Sequence, residues 1–469
     1  MTNTQKDDKM TVDKWISENK ELVNTMYKPL HHFSAPIGWI NDPNGFVYYK
    51  GEYHLFYQFH PYSAKWGPMH WGHAKSKDLL NWEHLPVALE PDQPYDEGGC
   101  FSGTALVQED QLVLMYTGVS EEDGKSRQIQ CIAVSTDGIT FEKSPHNPVI
   151  DERHVKNTTD FRDPKIFRKN EKYYSLVAST KDGIGNVLLF ESDDLVSWVF
   201  KSTFLTAEPH QGKIWECPDL FELDGKDVLI VSPIAFTSEG ARYTNVNSSV
   251  YFVGKVDWDT YKFIPESYEE IDSGLDFYAP QTLKDDRNRR ILIAWQQMWG
   301  RNIPTDDLGH HWAGSMIIPR ELRLVDGKLI QTIVSEYNEA LTLASSQNVD
   351  RLYRGQLEPF VQLETTEPFS IEIGADEDCL QFDYDRESLM IDRTNLQQSI
   401  QGEEEQSDKR SKCYSSENLI VKIYVDKACC EIIVNDEVTF STTFYLESVD
   451  AEIKVKGKDL KIDVYNKKI

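Results

Sequence analysis

A repeated pattern of about 60 residues is the feature that most constrains the fold of this 469-residue chain. Five times, a charged turn is followed by a strongly apolar segment with the character of a strand. Each unit has room for four short strands, so we expect a five-bladed β-propeller rather than a large sandwich or a meander. The five segments are GEYHLFYQF from Gly51, DQLVLMYTG from Asp110, EKYYSLVAS from Glu171, KDVLIVSPI from Lys226 and RRILIAWQQ from Arg289.

The regions that flank the repeats predict a lead-in, a linker and a second domain. Residues 12–27 space their apolar side chains as an amphipathic helix does. The last part of the chain alternates apolar and polar residues, which is typical of a β-sandwich, and it contains a polar loop at 393–418. We therefore predict an all-β fold, a five-bladed β-propeller followed by a C-terminal β-sandwich. The predicted limits are 1–30 for the helical lead-in, 31–330 for the propeller, 331–349 for the linker and 350–469 for the sandwich.

Charge and cysteine content exclude several classes of partner. With a formal net charge of −28, the chain repels nucleic acid and anionic lipid, so neither nucleic acid nor a membrane is expected as a partner. No apolar secretion signal follows the polar start, Met1–Asp13. The seven cysteines are odd in number and scattered, as in reduced cytosolic proteins. We expect a cytoplasmic protein, whose sandwich braces the propeller or forms a contact in a homo-oligomer.

The sequence offers no recognisable metal site. It contains neither a CxxC nor an HExxH spacing, so no metal and no cofactor are expected. His60, His70 and His73 lie close together in the chain. A structural role, or a contact with a leaving group, is favoured for them over metal binding.

Each repeated segment is preceded by a residue that can take part in chemistry. Equivalent positions of successive blades converge on the axis of a propeller, so we expect these side chains to meet there. Carboxylates do not gather for stability, because like charges repel at close range. A single Asp-Pro-Asn-Gly or Glu-Cys-Pro is an ordinary turn or strand end, but the matched distances favour a functional site. The five residues, eight to eleven positions before their segments, are Asp42, Ser102, Asp163, Glu216 and Tyr278.

Paired carboxylates with aromatic neighbours suit glycoside hydrolysis. One carboxylate attacks the anomeric carbon, while the other protonates the departing oxygen and then deprotonates water. A third carboxylate can hold the ring hydroxyls. The aromatic side chains of Trp39, Trp66, Phe101 and Trp215 are expected to provide apolar faces for a sugar. An inverting mechanism and a binding propeller without catalysis are the alternatives at this point.

Five motifs in this chain resemble those of glycoside hydrolase family 32, in order and in spacing. The motifs are WINDPNG from Trp39, FSG from Phe101, FRDP from Phe161, WECP from Trp215 and DFYAP from Asp276. The resemblance implies a five-bladed propeller with a β-sandwich, and retaining cleavage of β-fructofuranosides through a covalent fructosyl-enzyme intermediate.

The same resemblance implies roles for individual residues. Asp42 matches the nucleophile, Glu216 the general acid/base, and Asp163 the carboxylate that binds fructosyl hydroxyls and stabilises the transition state. Substrate-binding positions are expected at Trp39, Ile40, Asn41, Gln58, Trp66, Phe101, Ser102, Arg162, Asp276 and Tyr278.

The stretch FHPYSAKWGPMHWGH from Phe59 resembles the bacterial sucrose-6-phosphate hydrolase branch of that family. The expected substrate is therefore sucrose 6-phosphate or sucrose, a small-molecule fructoside. A phosphate would need a local cation in so acidic a protein, and the candidates are Lys65, Arg301, His310 and His311. A fructo-oligosaccharide hydrolase and a fructosyltransferase are the other activities that the sequence leaves open.

Overall fold

The structure is a computed structural model that describes residues 11–155, 159–245, 247–400, 402, 407–448 and 451–468. Five antiparallel sheets follow one another along the chain and form the blades of a propeller, and a further sheet system of ten strands follows them. This arrangement confirms the predicted fold class, a five-bladed β-propeller with a C-terminal β-sandwich.

The first three blades each take four consecutive strands. Blade 1 contains β1 (Gly38–Tyr49), β2 (Glu52–His60), β3 (His70–Ser76) and β4 (Glu83–Leu89). Blade 2 contains β5 (Gly99–Gln108), β6 (Gln111–Glu122), β7 (Lys125–Ser135) and β8 (Glu142–Lys143). Blade 3 contains β9 (Thr159–Lys169), β10 (Lys172–Lys181), β11 (Ile184–Ser192) and β12 (Trp198–Thr206).

Blades 4 and 5 complete the ring. Blade 4 contains β13 (Ile214–Leu223), β14 (Lys226–Ile234), β15 (Val250–Asp257) and β16 (Lys262–Glu270). Blade 5 follows with β17 (Tyr278–Lys284) and β18 (Arg290–Trp295); after the short β19 (Trp312–Ala313) come its outer strands, β20 (Arg320–Val325) and β21 (Lys328–Ile333). The short strand β19 leaves blade 5 and pairs in parallel with β1, so the last blade is bound to the first.

Each repeated apolar segment forms the second strand of its blade, namely β2, β6, β10, β14 or β18. These strands pair on both sides, and their central residues are almost all buried because neighbouring blades cover both faces. The first strand of each blade lies next to the axis, and it carries the motif residue. The regular spacing of the sequence thus becomes a ring of equivalent inner strands.

The C-terminal strands form the sandwich. In chain order they are β22 (Leu341–Gln356), β23 (Phe360–Thr365), β24 (Phe369–Ala375), β25 (Asp378–Tyr384), β26 (Ser388–Asp392), β27 (Lys409–Cys413), β28 (Leu419–Asp426), β29 (Cys429–Val434), β30 (Val438–Thr443) and β31 (Glu452–Lys467). The long strand β31 pairs with β22 along one edge and with both β23 and β24 along the other. It therefore joins the two layers of the sandwich.

Three predicted segments differ from the structure. The lead-in helix is α1, Val12–Asn19, continued by a 3₁₀ turn at Lys20–Leu22, and it ends before residue 27. The predicted linker, 331–349, includes the helix α3 (Ser335–Glu339) and half of β22, because β22 finds its partner in β31 at the far end of the chain. The loop predicted at 393–418 includes β27, while residues 401 and 403–406 lie outside the described part.

Buried charges join the propeller to the sandwich. Arg320 of blade 5 bonds with Asp272 at 3.0 Å and also with Glu431 of β29. His32 lies between Asp426 and Glu431, at 3.1 Å from each. A further helix, α2, spans Pro304–Asp307, and no helix in the described ranges is long and apolar enough to cross a membrane.

Candidate active site

The inner strand of every blade is irregular at its motif. Between Ile40 and Pro43 the pairing of β1 with β2 loses its register, so Asn41 and Asp42 leave the ladder. The other inner strands shift at Ser102, at Asp163–Pro164, at Cys217–Pro218 and at Ala279–Pro280. A β-bulge bends its strand and turns a side chain to a new direction. The motif side chains therefore point along the propeller axis instead of into the blade interfaces.

Three of these bulges contain residues with left-handed backbone. The φ angles are +62° at Asp163, +48° at Cys217 and +50° at Ala279. Such angles are uncommon for residues with a Cβ atom, and they occur where the surrounding structure imposes them, often at functional sites.

A pocket of about 290 Å³ opens at one end of the axis. All three predicted catalytic carboxylates line it, and so do six predicted substrate-binding residues: Asn41, Gln58, Trp66, Phe101, Ser102 and Arg162. Gln128, Asp160 and Trp299 complete the lining. All five blades therefore contribute to a single pocket, blade 5 through Trp299 after β18, and its walls are mainly polar with aromatic rings at Trp66, Phe101 and Trp299.

Asp42 is buried and receives several hydrogen bonds. The Ser102 hydroxyl donates to Oδ2 at 2.6 Å, and the Asn41 amide donates to Oδ1 at 3.1 Å. Burial raises the pKa of Asp42, and the nearby charge of Glu216 adds to the rise. The hydrogen bonds from Ser102, Asn41 and Cys217 lower that pKa and offset part of the shift. Donors at both oxygens thus orient a carboxylate that lines the pocket.

Asp163 contacts both the backbone and the side chain of Cys217. The backbone amide of Cys217 donates to Oδ2 of Asp163 at 3.0 Å. The thiol of Cys217 lies 3.4 Å from Oδ2 of Asp42 and 3.6 Å from Oδ2 of Asp163. Burial raises the pKa of Asp163, Arg162 opposes the rise, and the charges of the other two acids add to it. The pKa of Asp163 therefore depends on the charges of its neighbours and is not a property of that residue alone.

Glu216 is held at both oxygens. Arg162 donates to Oε1 from Nη2 at 2.7 Å and from Nε at 3.1 Å. The Tyr278 hydroxyl donates to Oε2 at 2.6 Å. Its surroundings contain more cationic and hydroxyl donors than those of Asp42, so the two carboxylates are chemically distinct. Distinct surroundings for two acids are what separate acid and nucleophile roles in one pocket.

Comparison with known proteins identifies the family. The model of the Glycosyl hydrolases family 32 N-terminal domain matches residues 32–332, and that of the family's C-terminal domain matches residues 329–466. The chain belongs to glycosyl hydrolase family 32. It is therefore a glycoside hydrolase, and the resemblance predicted from the motifs is confirmed.

Individual relatives agree with the family 32 assignment. The chain is 35% identical to the sucrose-6-phosphate hydrolase of Zymomonas mobilis over 453 residues, which covers 90% of this chain and 86% of that protein. It is 33% identical to a sucrose-6-phosphate hydrolase of Escherichia coli, with 92% of each chain covered. A mutant β-fructofuranosidase of Bombyx mori, solved with sucrose, superposes with a TM-score of 0.89 at 32% identity over 97% of both chains.

Four predicted substrate-binding residues of this family 32 protein do not line the pocket. Trp39 lies behind it and donates to Asn41 Oδ1 at 2.8 Å, and Ile40 is fully buried. Tyr278 contacts a pocket residue through its hydrogen bond to Glu216.

Asp276, also predicted to bind substrate, lies away from the pocket, which corrects that prediction. Its carboxylate is buried next to the sandwich and paired with Arg301 at 3.0 Å and with Arg393 at 2.5 Å. Trp215, expected to face the sugar, is also a core residue, with its indole bonded to the carbonyl of Gln211.

The candidate phosphate ligands lie in different surroundings. Arg301 has a side chain only 2% exposed, and His310 is buried against Tyr27, so neither faces the pocket. Lys65 has a side chain 74% exposed and lies 3.6 Å from Asp306. Its neighbour in the chain, Trp66, lines the pocket. Lys65 is thus the candidate whose position suits the pocket rim, while His311 is exposed with left-handed backbone.

Three pocket residues were not predicted from the sequence, namely Gln128, Asp160 and Trp299. Asp160 bonds with Arg162 Nη1 at 2.8 Å, and Gln128 accepts from the backbone of Phe161 at 2.8 Å. Asp160 stands two residues before Arg162 in β9, and side chains two residues apart on a strand share a face, so Asp160 could have been predicted from the position of Arg162. Gln128 and Trp299 lie outside the repeated motifs. Within the described residues, no group of three or more His, Cys, Asp or Glu side chains is arranged to hold a metal ion.

Proposed function

We propose that this family 32 hydrolase cleaves the β-fructofuranosyl bond of sucrose or sucrose 6-phosphate, with retention, through a covalent fructosyl-enzyme intermediate. The supporting observation is that Asp42, Asp163 and Glu216 line one pocket in three different sets of hydrogen bonds. Retention needs one carboxylate that attacks and one that exchanges a proton. The named relatives, which are sucrose-6-phosphate hydrolases and a β-fructofuranosidase, support the substrate.

In this proposal Asp42 is the nucleophile. The hydrogen bonds of Ser102 and Asn41 orient its carboxylate and offset part of the rise in its pKa that burial causes. Its attack on the anomeric carbon breaks the bond to the leaving oxygen and forms a fructosyl ester. Water later attacks the same carbon and returns Asp42 to its free form.

Glu216 is the general acid and then the general base. It protonates the departing oxygen in the first step and takes a proton from water in the second. Arg162 and Tyr278 fix both of its oxygens, so the proton is delivered from a defined position. Asp163, oriented by the Cys217 amide, accepts hydrogen bonds from fructosyl hydroxyls and stabilises positive charge on the ring.

We assign the leaving sugar to the side of the pocket that holds Gln128 and Asp160. Both side chains contact Arg162, which binds Glu216, so they lie next to the proposed acid. The preference for a phosphorylated leaving sugar depends in this proposal on Lys65. A single charge-assisted contact to phosphate contributes roughly 1.5–3 kcal/mol, or about one to two orders of magnitude in kcat/KM.

The seven cysteines support a cytoplasmic location, because none of them forms a disulfide.

The proposal is tested by rates on sucrose, sucrose 6-phosphate and a short neutral fructo-oligosaccharide. We expect release of fructose from sucrose, a kcat/KM ratio above ten in favour of the phosphate ester, and a reduced ratio in Lys65→Ala. Asp42→Asn should lose at least 1000-fold in kcat with unchanged unfolding temperature. An Asp42→Asn rate above about a tenth of the parent rate would reject the nucleophile, and a ratio near one would reject the phosphate preference.

A further inference from the structure

A second layer of polar side chains lies next to the three acids along the propeller axis. Each blade supplies one member, located two or three residues after the motif residue of its inner strand. Four of them are buried, and the side chain of Lys165 is 12% exposed. We call this set the inter-blade ring; its members are Asn44, Thr104, Lys165, Asp219 and Gln281.

The first members of the ring connect blades 1, 2 and 3. Asn44 accepts a 2.9 Å hydrogen bond from the backbone amide of Gly103 in blade 2. Its amide group also donates to the carbonyl of Asp42 at 3.0 Å. The Thr104 hydroxyl donates to the carbonyl of Pro164 at 2.8 Å and accepts from the amide of Ile166 at 2.9 Å.

The remaining members close the ring. Lys165 of blade 3 pairs with Asp219 Oδ1 of blade 4 at 2.7 Å. The other oxygen of Asp219 accepts from the amide of Thr282 in blade 5 at 2.6 Å. Gln281 accepts from the amide of Phe46 in blade 1 at 3.4 Å and donates to the carbonyl of Gly103 at 2.8 Å. A continuous path of side-chain contacts therefore runs through all five blades.

We propose that the inter-blade ring positions the carboxylates of Asp42 and Asp163, and that the Lys165–Asp219 pair also contributes to the electric field at these two carboxylates. The bulges remove Asp42, Ser102 and Asp163 from the β-ladder, so ladder hydrogen bonds do not fix their directions, whereas Glu216 stays paired with Ser232. The ring contacts end on the bulge backbone or beside it, at Asp42, Gly103 and Pro164. This inference deepens the proposed function and rests on the roles given there to the three acids.

The ion pair has a second effect because Lys165 stands two residues after Asp163, and Asp219 three residues after Glu216, on neighbouring inner strands. Lys165 and Asp219 balance each other, and the charges of Arg290 of β18 and Asp219 also interact. Removing Lys165 leaves an additional negative charge near the acids, which favours their protonated forms. Removing the charge of Asp219 leaves an uncompensated cation, which favours their ionised forms. The two changes should therefore displace the pH dependence in opposite directions.

The first test is the pH profile of kcat/KM on sucrose for Lys165→Met, Asp219→Asn and the double variant. We expect the acidic limb to move by roughly half a pH unit or more, upward in Lys165→Met and downward in Asp219→Asn. The double variant should return close to the parent profile. Profiles that coincide with that of the parent in both single variants would overturn the electrostatic part of the proposal.

The second test separates positioning from a merely structural role. Thr104→Val removes the contacts to blade 3, and we expect kcat to fall about tenfold or more with KM within a factor of three. Thr104→Ser keeps the hydroxyl and should restore the rate. Ser175→Ala, a buried serine of β10 whose hydroxyl has no partner among the described residues, is the matched control and should keep kcat.

A Thr104→Val enzyme with the kcat of the parent would overturn the positioning role. A fall in kcat that Thr104→Ser does not restore would also overturn it. If Asp42→Asn stays active, the assigned roles of the acids fail whatever the ring does. If Asp42→Asn is inactive while the ring variants behave like the parent, only the ring inference fails.

Discussion

The hydroxyl of Tyr278 donates a 2.6 Å hydrogen bond to Oε2 of Glu216, although Tyr278 itself does not line the pocket. It approaches Glu216 from blade 5, while Arg162 of blade 3 binds the other oxygen. Burial raises the pKa of Tyr278 far above its usual range, and the charge of Glu216 adds to the rise, so the phenol remains a donor. Glu216 of blade 4 is therefore held by side chains from both neighbouring blades, 3 and 5.

Tyr278→Phe removes the hydrogen bond to Oε2 of Glu216 and leaves the bonds from Arg162. The lost bond is to a charged group, so we expect a fall in kcat of about 10- to 100-fold on sucrose, which corresponds to roughly 1.5–3 kcal/mol. A fructoside with an acidic phenol as leaving group needs little protonation and should lose less. Steady-state kinetics on both substrates check the prediction, and equal losses on the two would contradict a role through Glu216.

Ser102→Ala should shift the acidic limb of the pH profile upward. The Ser102 hydroxyl lowers the pKa of Asp42, so its removal raises that pKa, and the ionised nucleophile then persists only at higher pH. A shift of about one pH unit corresponds to a hydrogen bond of roughly 1.4 kcal/mol. The profile of kcat/KM on sucrose between pH 4 and 9 measures it. A limb that stays in place would show that Asp42 does not govern it.

Alkylation should distinguish the seven cysteines. Cys413 is exposed, while the other six are buried. Burial raises the pKa of the Cys217 thiol well above its usual range, and the charges of Asp163 and Asp42 add to the rise, so little thiolate forms there.

We therefore expect iodoacetamide at pH 8 to modify Cys413 of the native enzyme without loss of activity. Peptide mass spectrometry, with Cys413→Ser as the control, checks the site. Rapid inactivation that follows labelling of Cys217 would be inconsistent with the closed geometry around that thiol.

His32 predicts a pH dependence of stability. Burial alone would lower the pKa of His32, but hydrogen bonds and charges from Asp426 and Glu431 raise it to about 9 from 6.5. A raised folded-state pKa gives stability that is fully present below pH 6.5 and is lost as the pH rises towards 9. The contribution is on the order of 3 kcal/mol.

Urea unfolding at several pH values measures this dependence. The free energy of unfolding of the parent should fall between pH 6.5 and 9, the interval that the His32 shift defines. His32→Gln should be less stable at low pH and should show a flatter dependence over that interval. Parallel curves for the two proteins would contradict the assignment to His32.

The sequence predicted the propeller because each blade repeats one local requirement, an apolar second strand that pairs on both sides. The positions of Asp42, Asp163 and Glu216 followed from the same repetition, since equivalent inner strands meet at one axis. The bulges could not be located to the residue from sequence alone. In blade 3 the bulge includes Pro164, which has no N–H group for the ladder, but which residues leave the ladder depends on a partner strand whose register is fixed elsewhere.

Residues whose partners are distant in the chain were the hardest to assign. Arg301 was predicted to bind phosphate, but Asp276 holds it beneath the sandwich together with Arg393. Nothing local distinguishes such an arginine from one at a pocket rim, because its partners come from separate parts of the chain. The same limit applied to β22, whose partner β31 lies about a hundred residues away.

The left-handed residues in the bulges imply a conflict between thermal stability and catalytic activity. Asp163, Cys217 and Ala279 each hold a backbone conformation that costs on the order of 1 kcal/mol or more for residues with a Cβ atom. Variants selected only for resistance to heat would tend to relax these strands into regular pairing. Regular pairing would rotate the motif side chains away from the axis, because a shift of one residue along a strand reverses its faces. Directed evolution for thermal stability in an active enzyme should therefore accumulate stabilising substitutions in the outer strands of the blades and leave the innermost strands unchanged.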